Sequence, residues 1–308
     1  MTSLRTKNFD WRSVVFYAAT LAATALIVLT IVAILGEIVW HGARQVSWHF
    51  VTGGTTEGMF DAQTAGVFPM IFGTLALVLL MTLGVVPVGV ITAVYLTEYA
   101  KSLSPITRII RGAINNLAGV PSIVFGLFGL GFFIQFVGGG LDQMFYGGAL
   151  HYRKPALIWA AATMAVMTLP VVIVATEEAL RAVPKGLREA SLALGATKLM
   201  TIWKIVLPEA LPGVLTGAIL AVGRGAGEVA PIMFTGAAYY LAHLPNSWTD
   251  QFMHLGYHVF VLSTQSPDIE RTKPILYGSV LVLLVLTFLL NLAGVLVRAK
   301  IRSRLQHG

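Results

Sequence analysis

Residues 221–231 read Ala-Val-Gly-Arg-Gly-Ala-Gly-Glu-Val-Ala-Pro, which sets Arg224 and Glu228 inside an otherwise apolar stretch. An arginine at the centre of a membrane helix costs about 2.5–3.5 kcal/mol on insertion scales, so it marks a candidate functional site. A spacing of four puts the two side chains one turn apart on one helix face. Counted from Pro212, Arg224 lies about 18 Å along the helix, which predicts a position near mid-bilayer. Gly223, Gly225 and Gly227 surround the pair with bare backbone, leaving room for a ligand or a neighbouring helix. A guanidinium offers a planar fork of donors to phosphate-like oxygens and keeps its charge when desolvated. A carboxylate beside it repels a fully ionised anion but accepts a hydrogen bond from a protonated one. Glu228 is therefore expected to favour phosphate, which keeps a proton near neutral pH, over sulfate, which does not. The same two residues would equally serve as an internal ion pair that closes or gates a helix bundle without touching substrate.

A second constellation lies upstream. Glu177-Glu178-Ala179-Leu180-Arg181-Ala182-Val183-Pro184 is followed by Glu189-Ala190-Ser191, then Gly195, then Ile205, Leu207 and Pro208. Leu187, Ala190 and Leu194 recur at helical spacing. Gly195 permits a sharp turn, a second short amphipathic piece follows through Trp203 and Ile205, and Pro208 is expected to stop it before the next span. On periodicity alone the segment is either a helix-turn-helix knob for a soluble partner or a loop lying on the membrane surface.

The elements that must hold these residues are membrane spans. The 308 residues are 56% hydrophobic and 11% charged, with mean hydropathy +0.78. Soluble domains carry roughly 25% charge, so soluble, disordered and fibrous classes are excluded. Charge-free stretches run between Arg12 and Glu37, Asp61 and Glu98, Arg111 and Asp142, Lys154 and Glu177, and Lys273 and Arg298; a sixth, about 211–237, is interrupted by Arg224 and Glu228. Each exceeds the roughly 20 residues that cross a bilayer. The expectation is an all-α membrane protein with six transmembrane helices. The first is too long for a signal-peptide core and reads as a retained anchor. Of the 21 lysines and arginines, Arg224 lies within a span and Arg44, Arg153, Lys154, Arg271 and Lys273 fall on one side; the other 15 fall on the opposite side. That bias places both termini in the cytoplasm. Trp11, Trp40, Trp159 and Trp203 fall near span ends, where interfacial anchors belong. Glycines and prolines recur inside the spans, as a bundle that packs closely and flexes requires.

Other chemistry is thinly supported. There is no cysteine, hence no thiolate and no disulfide. No Gly-Lys pair occurs, so the chain lacks a phosphate loop and is expected to bind no ATP itself. The seven histidines fall in loops or the tail and read as polar surface, and His-Glu-x-x-His is absent, which weighs against an intramembrane hydrolase. The long loop 238–273 contains Trp248, His254, Tyr257 and His258 and is expected to be structured. The basic tail, Arg298 to Arg304, reads as an anchor on anionic lipid, not as a nucleic-acid site.

The run Glu189-Ala190-Ser191, Gly195, Ile205, Leu207, Pro208 resembles the "EAA" loop of ABC importer permeases, with Ser191 in place of the second alanine. Within that group the chain is most similar to the A-type permease of the bacterial phosphate-specific importer. Leu117 to Gly126, Thr168-Leu169-Pro170, Arg224 with Gly227, Glu228 and Pro231, and Thr264 to Pro267 carry the likeness, which covers roughly 65–298; Val229 stands where threonine is more usual. The resemblance implies a type I ABC importer permease fold in the bacterial inner membrane and a pairing with a homologous C-type permease. It further implies two ATPase subunits that bind ATP and Mg, and an external phosphate-binding protein. Glu189, Ala190, Ser191, Gly195, Ile205, Leu207 and Pro208 would couple to the ATPase, and Arg224 with Glu228 would line the phosphate pathway. The expected organisation is a cytoplasmic segment 1–12, a first span 13–40, a permease core 67–298 with its coupling loop at 178–209, and a tail 299–308. Another oxyanion or a phosphonate remains an alternative cargo.

Overall fold

The long apolar runs all become helices, as a backbone deprived of water must. The protein is described here by a computed structural model covering residues 11–55, 58–101 and 104–307, with side chains to residue 303. Residues 1–10 of the expected N-terminal segment lie outside the described residues. In chain order the helices are α1 (Trp11–Gln45), α2 (Trp48–Thr52), α3 (Phe68–Val94), α4 (Pro105–Ala118), α5 (Ser122–Phe128), α6 (Gly139–Phe145) and α7 (Leu157–Ala182). There follow α8 (Lys185–Ala193), α9 (Lys198–Thr201), α10 (Leu207–Gly227), α11 (Ala230–Thr235), α12 (Leu255–Thr264) and α13 (Ile269–His307). π-Helical turns at Tyr95–Tyr99, Gly129–Gly138 and Ile202–Val206 extend α3, join α5 to α6 and join α9 to α10. Six stretches are long and apolar enough to span a membrane: Trp11–Gln45, Phe68–Tyr99, Ser122–Phe145, Leu157–Ala182, Lys198–Gly227 and Ile269–Ser303.

The most buried span is α7, with α3 and α10 packed along it and α1 paired with α13 at the periphery. Small residues make the close approaches possible. A Cβ at Gly89 of α3 would lie 2.7 Å from Val172 of α7, and one at Gly217 of α10 would lie 2.9 Å from Ala175. Gly42 does the same for α1, where a Cβ would meet the Tyr277 carbonyl oxygen at 2.7 Å. A core of Leu77, Met81, Phe125, Met164, Met167, Ile232 and Phe252 packs α3, α5, α7 and α11 together.

Several expectations are corrected. The uncharged run after Arg111 is not one helix: α4 ends at Ala118, and the third span starts only at Ser122. Pro121, without an N–H and restrictive of the residue before it, separates the two. Pro208 does not stop a helix. The chain stays helical from Lys198 to Gly227, with the Leu207 N–H donating to the Ile202 carbonyl five residues back in the π-turn. Trp159 is a core residue, 5% exposed, whose Nε1 donates to the Tyr152 carbonyl at 2.7 Å, while Trp11, Trp40 and Trp203 are exposed.

The loop between α11 and α12 is structured, as expected. It pins the start of α7 through Leu157 N–H to the Asp250 carbonyl (2.8 Å) and Ile158 N–H to the Trp248 carbonyl (2.9 Å). Two histidines of the stretch 238–273, His254 at the cap of α12 and His258 within it, are not polar surface. His254 and His258 are 1% and 4% exposed, between the fifth and sixth spans. His254 Nδ1 accepts the Gly256 N–H at 3.1 Å, whereas its Nε2 and His258 Nδ1 have no partner among the described residues. Burial lowers His254 to about 3 and His258 to about 4. Below pH 6.5 the unfolded chain therefore binds protons that the folded one refuses. Stability is complete above the unfolded value and falls as pH drops beneath it, by up to about 1.4 kcal/mol per pH unit for each histidine. Thermal unfolding in detergent between pH 7.5 and 4.5 should show this decline, and His258→Leu should flatten it.

Candidate functional site

The residues of the fifth span are sorted by what covers them. Ala221 is buried against Val85 of α3 and Val172 of α7. A Cβ at Gly225 would lie 2.8 Å from the Met81 thioether, and one at Gly223 would lie 3.0 Å from the Asn291 amide of α13. Leu220, Arg224 and Gly227, spaced by helical turns, form the exposed stripe, and around Gly227 there is open space. Two of the three glycines thus admit neighbouring helices and the third leaves room beside the charges.

Arg224 Nε donates to Glu228 Oε1 at 3.2 Å, with side-chain exposures of 39% and 22%. Among the described residues its two terminal nitrogens make no hydrogen bond, so the outer fork of the guanidinium is uncommitted. The pair forms as the spacing predicts, but its setting differs. The helix ends at Gly227, Glu228 has an extended backbone (φ −78°, ψ 138°), and α11 begins at Ala230. Pro231 in the first turn of α11 offers no N–H to continue the ladder, and Gly227 is a weak helix former. Arg224 therefore stands in the last turn of its helix, not at the middle of an unbroken one. That end carries unpaired carbonyls and favours a cation.

One turn before Arg224, Leu220 closes a cleft of about 330 Å³ lined by Ile114, Asn115 and Ala118 of α4 and by Pro170, Val174 and Glu178 of α7. Asn115 and Glu178 are its polar members. Sequence reasoning gave neither a role, although an asparagine pair in the charge-free run after Arg111 was a visible signal.

The second constellation closes into an elbow. Gly195, with φ +85°, turns the chain between α8 and α9, a conformation that side chains with a Cβ rarely adopt. Ser191 of α8 and Thr201 of α9 share a hydroxyl hydrogen bond at 2.9 Å, which gives the serine a task the usual alanine could not perform. Glu189, Ala190 and Gly195 are exposed at the elbow, together with Leu187, Leu194, Leu199 and Trp203. Ile205, Leu207 and Pro208 are partly buried where α10 begins. Pro208 and Arg224 share one rod, about 24 Å apart by helical rise.

Residues 86–307 match the family described as binding-protein-dependent transport system inner membrane component. The chain belongs to this family. The permease is 36% identical over 211 residues to the probable ABC transporter permease protein YqgI of Bacillus subtilis, covering 68% of this chain and 66% of that one. It is 40% identical over 177 residues to the phosphate transport system permease protein PstA 1 of Mycobacterium tuberculosis, covering 57% of this chain and 53% of the relative. Its match therefore spans between half and two thirds of these two relatives. A probable phosphate transport system permease protein PstA of Methanocaldococcus jannaschii is 30% identical over 268 residues, 86% of each chain. A chain of a bacterial alginate ABC transporter has the same fold, with TM-score 0.63 at 16% identity over 91% of this permease and 93% of that chain. A chain of the inward-facing MetNI methionine ABC transporter gives 0.53 at 20% identity over 77% and 94%. The architecture is that of a type I ABC importer permease, and the permease is a multi-pass inner-membrane protein.

The covering of the glycines has a measurable consequence. Gly225→Val should overpack the contact with fully buried Met81 and destabilise the purified protein by about 1–3 kcal/mol. Gly227→Ala, facing open space, should stay within about 0.5 kcal/mol of the parent in the same thermal-unfolding assay.

Proposed function

We propose that this permease is the transmembrane A-type subunit of an ATP-driven inorganic phosphate importer. It would form half of the translocation pathway beside a homologous C-type permease. Two ATPase subunits on the cytoplasmic side would hold ATP and Mg, and an external phosphate-binding protein would deliver the ion. The observation that carries the cargo is the uncommitted guanidinium fork of Arg224 on the face its own chain leaves uncovered. Glu228 occupies only Nε, so two parallel donors remain for two oxyanion oxygens. Relatives named as phosphate permeases support the same cargo.

The chain's residues divide the labour. Arg224 supplies the charge that draws the anion into a low-dielectric path. Glu228 orients Arg224 and accepts a proton-bearing oxygen of hydrogen phosphate, an interaction sulfate cannot offer. The exposed elbow of α8 and α9, with Glu189, Ala190, Ser191, Gly195, Ile205, Leu207 and Pro208, seats on the ATPase. Closure of the ATPase dimer on ATP draws the elbows together and opens the bundle outward, and hydrolysis reverses the movement. Both termini and the tail 299–308 lie on the cytoplasmic side in this reading.

ATP-dependent uptake of radiolabelled phosphate into vesicles holding the whole assembly tests it. Arg224→Ala should lower uptake about 10- to 100-fold, as expected for lost charge-assisted hydrogen bonds, while the ATPase still copurifies. Glu228→Gln should make uptake sensitive to sulfate. Undiminished uptake in both variants would remove Arg224 and Glu228 from the pathway, and wild-type uptake of another oxyanion or a phosphonate would replace the cargo.

A further inference from the structure

The elbow is exposed along most of its length, and α8 has no buried residue. Two side chains, Arg188 and Lys198, nevertheless fasten it to the bundle. Arg188 Nη1 donates to the Val183 carbonyl and Nη2 to the Leu180 carbonyl, both at 2.7 Å. Nη2 and Nε also donate to Glu98 Oε1 at 2.9 and 3.2 Å. The two carbonyls are at the end of α7, where a helix leaves acceptors unpaired. Glu98 belongs to the π-turn that ends the second span. Both partners are withdrawn from water, with side-chain exposures of 19% for Arg188 and 11% for Glu98.

The second half of the elbow grips the same residue. Lys198 of α9 donates its Nζ to the main-chain carbonyl of Glu98 and stands 4.8 Å over the Tyr99 ring. Beside this junction the two π-turns meet, with Val94, Tyr95 and Tyr99 facing Ile202, Trp203 and Leu207 across a small apolar cleft. π-Turns carry an unstrained alternative in the ordinary α-turn and recur at functional positions. A knob that only adhered to a partner would need no partly buried ion pair behind it.

We propose that Glu98 and Arg188 form a strut that transmits displacement of the elbow to the second span, so that α3 moves with α7 and α10, to which the chain already joins the elbow. Arg188 is a positioning residue: it touches neither cargo nor nucleotide. The proposal rests on the reading of the elbow as the ATPase seat. The chain joins the elbow covalently to α7 through Val183 and Pro184 and to α10, and so to Arg224; Arg188 adds the link to α3. Loss of the strut would leave the seat intact and loosen the second span from the elbow.

The test uses the whole assembly in vesicles and measures ATPase capture, ATP hydrolysis, phosphate uptake and thermal unfolding. Arg188→Lys keeps the charge but loses the fork, and Glu98→Gln keeps the shape but loses the charge. Each should retain captured ATPase and basal hydrolysis, while uptake per ATP hydrolysed falls about tenfold, within the usual range of coupling between sites. The double variant Glu98→Gln/Arg188→Gln leaves no unpaired, partly buried charge, so its unfolding midpoint should return toward wild type while uptake per ATP stays low. Recovery of uptake per ATP together with stability in the double variant would show a purely structural pair and overturn the strut. An unchanged uptake-to-hydrolysis ratio in the single variants would overturn it too. Wild-type chain that captures no ATPase would defeat the docking reading first, and the strut with it.

Discussion

The close approach of α10 to α7 is the constraint on which the remaining geometry depends. Gly217 lies against Ala175 and Val172, and Gly213 lies against Ala179, so the two helices meet at backbone distance over more than a turn. Lipid tails are as apolar as leucine, and no hydrophobic gain separates a helix–helix contact from a helix–lipid one. Packing of small residues therefore has to hold the bundle. Once α10 is laid along α7 in this way, Ala221 and Gly225 must face inward, and Leu220, Arg224 and Gly227 must face away. The orientation of the charged pair follows from contacts made by residues that carry no chemistry.

The six spans were legible because each is a charge-free run longer than a bilayer, and a backbone in hydrocarbon has few alternatives to a helix. The Arg224–Glu228 pair was legible because i, i+4 spacing survives even where the helix ends between the two residues. The end itself was not. It follows from a proline three residues past Glu228 acting with a glycine just before it, and neither forces a break alone, as Pro170 inside α7 shows. Pro208 illustrates the same limit from the other side, since a π-turn absorbs what periodicity reads as a stop. Buried His254 and His258 were misplaced for a related reason. Loop residues look polar when counted one by one, but this loop folds back on α7 by main-chain hydrogen bonds that no side-chain pattern encodes.

The elbow shows how a departure from a family pattern acquires meaning once distances are known. Ser191 at the second alanine position is a small-for-small change in sequence, yet in space its hydroxyl ties α8 to Thr201 of α9. Gly195 sets the angle between the two helices through a backbone conformation, and the serine fixes it through a side chain. The two act on the same hinge and leave the outer surface free of obligations to the rest of the chain.

The π-turn at Ile202–Val206 bears on how this permease tolerates change in length. A π-turn houses one residue more than an α-turn, and one residue in a helix amounts to about 100° of rotation. Removing a residue there would regularise the local hydrogen bonding and leave the azimuth of everything beyond it nearly unchanged. Removing one from the α-helical stretch above it would instead carry Arg224 off the uncovered stripe and toward neighbouring α3 or α13. The π-turn is thus the one place on the rod between the elbow and Arg224 where a residue can be lost without turning its charged end.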